Sequence, residues 1–179
     1  MASKSPRRVE ILNNLGLTFT VCPSSFEENL DKSSLTPAQY VIETSKGKGQ
    51  QIYEEKCQEG EFSGLIISAD TVVVLDDEIL EKPRDNEHAY EMLSSLSGRQ
   101  SLVYTGVTLL GTYLTKNHND EKKRVKYMDC FSEKTIVNFA ALSEEVIRAY
   151  IATGEPLGKA GSYGIQGMLS HLIFHVFCL

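Results

Sequence analysis

Apolar residues recur along this chain at two distinct periods. Within residues 85–96, Ala89, Met92, Leu93 and Leu96 stand at i, i+3, i+4 and i+7, with Gly98 just beyond. That spacing places all four on one face and predicts a helix. Ser5-Pro6 predicts another, because a hydroxyl followed by proline suits a helix start. Val9, Ile11, Leu12 and Leu15 follow, and Gly16 can close that helix in the left-handed conformation. Thr36-Pro37 repeats the opening, with Ala38, Val41, Ile42, Ile52 and Tyr53 as its apolar stripe. A last helix begins at Ser143, carries Glu144 and Glu145 in its first turn, where the dipole favours them, and ends at Gly154.

Elsewhere the apolar residues run together. Leu65-Ile66-Ile67 and Val72-Val73-Val74-Leu75 flank Ser68-Ala69-Asp70-Thr71, and runs of this kind suggest strand buried on both faces. Asp76-Asp77 reads as a turn and Ile79-Leu80 as a short return. Leu17 to Pro23 reads as a strand. Residues 102–113 and 127–139 read as two long strands, joined by a polar hairpin loop over residues 116–124. Residues 158–167 form a glycine-rich loop. No repeat, low-complexity tract or linker interrupts the pattern, so one α/β domain over residues 1–179 is expected.

Composition narrows the function. Lys plus Arg is 18 and Asp plus Glu 24, a net charge of −6. An acidic chain does not suit a general binder of nucleic acid or anionic membrane, and neither partner is expected. A phosphate-bearing ligand would need local cations and a divalent metal to screen it. Cys22, Cys57, Cys130 and Cys178 are far apart, fit neither a zinc knuckle nor a disulfide framework, and read as reduced thiols in a cytoplasmic protein. No signal peptide is visible, and no apolar run reaches the ~20 residues of a membrane helix.

Four features carry candidate chemistry. Ser3-Lys4-Ser5-Pro6-Arg7-Arg8 puts hydroxyls and guanidiniums at a helix N-terminus, which suits an anion; on spacing alone, a capped surface helix with basic residues in its first turn is the simpler explanation. Asp70 interrupts a buried apolar run, so it is either a metal ligand or general base, or the turn residue between two strands. Lys82, in Glu81-Lys82-Pro83, and Lys48 gain meaning only if the fold brings them to Asp70. In the loop Lys159-Ala160-Gly161-Ser162-Tyr163-Gly164-Ile165-Gln166-Gly167, the glycines admit close approach of a ligand, and Tyr163 and Gln166 could stack on and read a base. The alternative is a flexible loop with a buried tyrosine. His171 and His175 have a helical i, i+4 spacing that can bind zinc, but no third ligand is evident.

Taken in order, these motifs resemble the Maf family of nucleotide pyrophosphatases. Ala2-Ser3-Lys4-Ser5-Pro6-Arg7-Arg8 looks like its A-S-x-S-P-R-R opening, Ser68 to Val73 like its A-D-T-V-V strand, and Leu80 to Pro83 like its L-x-K-P. Leu96-Ser97-Gly98-Arg99, Thr105-Gly106-Val107, Thr153 to Pro156, Lys159-Ala160-Gly161 and Tyr163 to Gly167 follow in the family's order. The stretch from Pro23 to Lys48 is similar to the Maf domain that eukaryotes fuse to a methyltransferase-like module.

The resemblance implies a central twisted mixed sheet flanked by helices, in two lobes with a nucleotide-binding cleft. It implies hydrolysis of nucleoside triphosphates to monophosphate and pyrophosphate with Mg²⁺ or Mn²⁺. Asp70 would be the catalytic acid/base and a metal ligand, with Glu28 as second carboxylate. Arg7, Lys48 and Lys82 would neutralise phosphate, and Ser5 would contribute to substrate binding. Arg7, Thr71 and Gln166 match the branch acting on dTTP and UTP, and by extension on modified pyrimidine nucleotides. A homodimer is compatible with the family. A non-catalytic nucleotide binder and an inactive truncated product are the alternatives. Family members begin with an apolar strand before the first motif and continue well beyond the last. Here Met1 directly precedes Ala2, and residues 168–179 follow Gly167. The resemblance therefore leads us to expect a first strand and a C-terminal segment that are missing or divergent.

Overall fold

The structure, a computed structural model, describes residues 1–116, 122–168 and 173–178. Among the described residues, four α-helices and five strands follow one another in the order α1 (Pro6–Asn14), α2 (Pro37–Gln58), β1 (Gly64–Leu75), β2 (Glu78–Leu80), α3 (Asn86–Leu96), β3 (Gln100–Lys116), β4 (Lys122–Phe139), α4 (Glu144–Ala152) and β5 (Ile173–Cys178). The sheet order is β2-β1-β3-β4-β5. β1 with β2 and β4 with β5 are antiparallel, with Val73 opposite Leu80 and Val137 opposite Val176.

The chain packs as two compact units. The first holds residues 1–31, 39–70 and 106–132, and the second residues 32–38, 71–105 and 133–179. β1, β3 and β4 each contribute residues to both. In the first unit Ala2, Ile52 and Ile66 are buried together, with Tyr53 and Phe62 meeting edge to face at 5.9 Å between centroids. The second unit has the larger core. There Ala89, Leu93 and Leu96 of α3, Ile147 and Ile151 of α4, and Val137 and Phe139 of β4 pack with Tyr163. Full burial of each large apolar side chain contributes roughly 1.5–3 kcal/mol.

Local chemistry explains the element ends. Asp85 and Ser143 cap α3 and α4, their side chains accepting from the N–H groups of His88 and Val146. Asp76 and Asp77 have φ of 49° and 65°, so a two-residue turn with both centres left-handed joins β1 to β2, the form whose twist matches a hairpin.

Several expectations change. Leu17 to Pro23 is not a strand: Leu17 and Val21 are exposed, Leu17 N–H donates back to Leu12 O at the end of the first helix, and residues 20 and 22 bond Met1. Ser68 to Thr71 is not a turn; β1 runs through it unbroken, because both faces of the strand are covered. Ser5 precedes α1 without a side-chain capping bond, and none of that helix's residues is buried. Residues 160–162 of the glycine-rich loop form a short 3₁₀ helix. The two long strands extend further than their apolar cores, to Lys116 and from Lys122, while most of the expected hairpin loop lies outside the described residues. His171 also lies outside them, and His175 belongs to β5, opposite Asn138, so the helical spacing of the two histidines does not arise.

Candidate active site

Asp70 sits inside β1 with 6% of its surface exposed. A carboxylate buried in a strand is costly unless it is paired. The partner comes from α2: the ammonium of Lys48 donates to Asp70 Oδ1 at 2.8 Å and lies 2.9 Å from Glu28 Oε1. Lys48 and Asp70 are almost fully enclosed, while Glu28 is partly open. Burial holds the Asp70 carboxyl above its usual range. The charge and hydrogen bond of Lys48 oppose that shift, Glu28 adds to it, and Arg8 opposes it. An elevated carboxyl beside a cation, in a wall of β-branched residues, is the environment of a candidate proton acceptor.

Arg8 is the group that sequence reasoning passed over in favour of Arg7. Its Nη1 donates to the carbonyl of Ala69 at 2.7 Å and to Ser3 Oγ at 3.2 Å. Ser3 Oγ also accepts from the Ser5 N–H at 3.2 Å. Burial lowers the Arg8 pKa, and the charges of Asp70 and Glu28 act against that loss. The double arginine was visible in the sequence, but which arginine turns inward depends on how α1 attaches to β1. The Ala2 N–H donates to Ile67 O at 2.8 Å, and Cys22 N–H to Met1 O at 2.9 Å. These bonds fix the strand-side entry to α1. Arg7, in the first turn, is half-buried.

A buried set of hydroxyls sets the register of α2 against the sheet. Ser45 lies one turn before Lys48, and Ser68 lies two residues before Asp70 on the same face of β1. Ser68 Oγ donates to Ser45 O at 2.7 Å, and Ser45 Oγ meets Thr108 Oγ1 at 2.8 Å. A Cβ at Gly49 would come within 2.7 Å of Ser68 Oγ. Only a glycine allows α2 to lie this close.

The remaining expected residues belong to the second unit. Thr71 follows Asp70 in β1, and its Oγ1 lies 3.0 Å from Thr105 Oγ1. Lys82 is exposed, while its neighbour Glu81 pairs with Lys32 at 3.0 Å and accepts the Gly161 N–H through its carbonyl. Gln166 is exposed in the loop before Gly167. Tyr163 is not available for stacking on a base. It is buried edge to face against Phe139 at 4.8 Å, and burial pushes its hydroxyl up to about 12.

The donors suit a hard divalent cation. Glu28 and Asp70 offer carboxylate oxygens to one shared point, where the Lys48 ammonium now lies. Mg²⁺ is commonly held by one or two carboxylates with substrate phosphates and water completing its shell. Among the described residues no group of three or more His, Cys, Asp or Glu forms a ready-made cage. Two carboxylates would fit such an ion only if other oxygen ligands came with it. Cys22, Cys57 and Cys130 are unpaired thiols.

The sequence pattern of the family described as Maf-like protein matches residues 1–176. The chain belongs to the Maf family. It is 44% identical over 175 residues to a human protein named probable bifunctional dTTP/UTP pyrophosphatase/methyltransferase protein, covering 97% of this chain and 27% of that one. It is 43% identical over 168 residues to a dTTP/UTP pyrophosphatase of Ruminiclostridium cellulolyticum, covering 94% of this chain and 79% of that one. A dTTP/UTP pyrophosphatase of Agathobacter rectalis is 42% identical over 175 residues, with 93% and 80% covered. The chain thus spans about a quarter of the human relative and four-fifths of the bacterial ones. No helix among the described residues is long and apolar enough to cross a membrane.

Proposed function

We propose that this Maf protein hydrolyses dTTP and UTP, and modified pyrimidine nucleotides of the same hydrogen-bonding pattern, to the monophosphate and pyrophosphate. The observation that carries the reading is the enclosed Asp70–Lys48–Glu28 cluster, with Arg8 beside it, in a chain more than 40% identical to proteins named dTTP/UTP pyrophosphatase. Displacement at phosphorus needs little covalent help and much charge neutralisation and positioning. Asp70 accepts a proton from the attacking water. A bond forms from that water oxygen to the α-phosphorus, and the bond to the bridging α–β oxygen breaks as pyrophosphate leaves. Lys48, Arg7 and Lys82 supply positive charge to the phosphates, with Ser5 as a hydroxyl donor. Glu28 and Asp70 would hold Mg²⁺ or Mn²⁺, which when bound supplies further neutralisation of the phosphate oxygens.

The base preference follows from Gln166, with Arg7 and Thr71. A glutamine amide accepts from the N3–H of uracil or thymine and donates to O4, whereas cytosine presents the opposite pattern. Sites built on hydrogen bonds reject mismatches strongly, because a wrong base leaves a polar group unpaired. A cytoplasmic location goes with a substrate drawn from the free nucleotide pool. Pyrophosphate release across a nucleotide panel is the test. dTTP and UTP should exceed dCTP, ATP and GTP in kcat/KM; preference for a purine nucleotide or 7-methyl-GTP would overturn the assignment.

A further inference from the structure

Gln166 is exposed on a loop whose glycines give it little stiffness of its own, yet both ends of that loop are fixed. On one side Tyr163 is buried in the core of the second unit and Ser162 Oγ donates to Met92 Sδ at 3.1 Å. On the other side the anchor is a carboxylate, Glu155. Its Oε2 accepts the Met168 N–H at 3.1 Å across 13 residues of chain. Its Oε1 accepts from Lys159 Nζ at 2.5 Å and from Tyr150 Oη at 3.2 Å. The Glu155 side chain is mostly enclosed, as is that of Lys159. Burial works against the charge, but the bonds from Lys159 and the Met168 N–H prevail and hold the Glu155 carboxyl below its usual range.

Gly167 closes the arrangement. Its φ is not in the left-handed region, so its backbone would accept any residue. Yet a Cβ there would fall on Glu155 Oε1. The carboxylate lies directly against the residue after Gln166 and bonds the amide of the residue after that. The Lys159 ammonium and the Tyr150 hydroxyl hold it in place. α4 carries Tyr150, so the loop is referred back to a packed helix.

From this geometry we propose that Glu155 is a positioning residue: it fixes the backbone that presents Gln166 and thereby sets the discrimination between pyrimidine bases. The inference rests on the reading of this chain as a dTTP/UTP pyrophosphatase. Glu155 would touch neither base nor phosphate, and its effect passes through Gly167 and Met168. Losing it should weaken recognition of the base without removing the groups that cleave the phosphate.

The test compares Glu155→Ala, Glu155→Gln, Gly167→Ala and the Gly167→Ala/Glu155→Ala double variant with the parent chain. Glu155→Ala should raise KM for dTTP and lower the dTTP-over-dCTP ratio of kcat/KM by about tenfold or more, with kcat held within about threefold. Glu155→Gln keeps an acceptor for the Met168 N–H and should recover part of the ratio. Gly167→Ala should damage the ratio in the parent, yet add little in the Glu155→Ala background, where the obstructing oxygen is gone. Exchange of the Met168 amide should quicken in Glu155→Ala while the core amides of α3 stay protected. An unchanged dTTP-over-dCTP ratio in Glu155→Ala overturns the proposal, and so does a strictly additive double variant. A parent that hydrolyses no nucleotide overturns the proposed function instead. The clamp is then decided by the Met168 amide, whose unchanged exchange would refute it.

Discussion

At the scale of single residues, Asp70 is held away from its ordinary chemistry by opposing forces of similar kind. Burial raises its pKa, Lys48 and Arg8 lower it, and the net direction is upward. A general base works only when ionised, so the acid limb of the kcat/KM profile should lie above the ordinary carboxylate range. Lys48→Met removes an influence that lowers the Asp70 pKa, so this limb should move to still higher pH as turnover falls. A limb that stays where the parent has it would exclude Asp70 as the base. Asp70→Asn should reduce turnover by roughly 10²–10⁴. The raised pKa also fixes the sign of the stability effect. The folded chain holds this proton more tightly than the unfolded chain, so the carboxyl costs stability as pH rises from its unperturbed value through the folded one. Asn removes that cost, and at pH 7 the variant should melt no lower than the parent. A clearly lower melting temperature would mean that the pair with Lys48 outweighs burial.

At the scale of elements, the active cluster depends on how closely α2 approaches the sheet. Gly106 of β3 faces the carbonyl of Val41, and a Cβ there would also lie 2.7 Å from Ile42 N. Gly106→Ala should therefore push α2 outward, costing about 1–3 kcal/mol, and should lower activity further because Lys48 rides on the same helix. Thermal melting alongside pyrophosphate release checks this; a variant with parental values for both would show that the approach is not tight. The helices were legible because a 3.6-residue period survives even in one sequence: α3 matches its apolar spacing, and Asp85, the first residue of the expected helix, proves to be its cap. The Asp76-Asp77 hairpin was legible from turn chemistry. The strand expected at Leu17 to Pro23 failed because β-branched and aromatic residues do not make a strand without a partner ladder. Asp70 was balanced between turn and site for a different reason. Its partner Lys48 lies 22 positions earlier, and Glu28, which shares that lysine, 42 positions earlier, and no local spacing reports a contact at that separation. The same holds for Arg8, whose inward turn depends on the bond from Ala2 to Ile67.

At the scale of the whole molecule, the proposed function asks an acidic chain to take up a polyanion. Its net charge of −6 gives no long-range attraction for a nucleoside triphosphate. On the proposed function, affinity would come from the local cations and from a metal that accompanies the nucleotide. The two carboxylates proposed to hold a metal, Glu28 and Asp70, both pair with Lys48, and among the described residues no third His, Cys, Asp or Glu joins them. Mg²⁺ alone would have to compete with an ammonium for two oxygens and give up part of its water shell for little return. With a nucleotide, phosphate oxygens would supply the missing ligands and give the Lys48 charge a new partner. Metal and nucleotide should therefore bind cooperatively, each weakly without the other. Thermal melting separates the cases, because a ligand that binds only the folded chain stabilises it by about 2.7 kcal/mol at roughly 100 times its Kd. Mg²⁺ at millimolar concentration should leave the melting temperature nearly unchanged, a non-hydrolysable dTTP analogue should raise it slightly, and both together should raise it by more than the sum of the two. A shift with Mg²⁺ alone as large as that with the pair would show a preformed metal site. In that case the Lys48 ammonium would not be the group that the metal must displace.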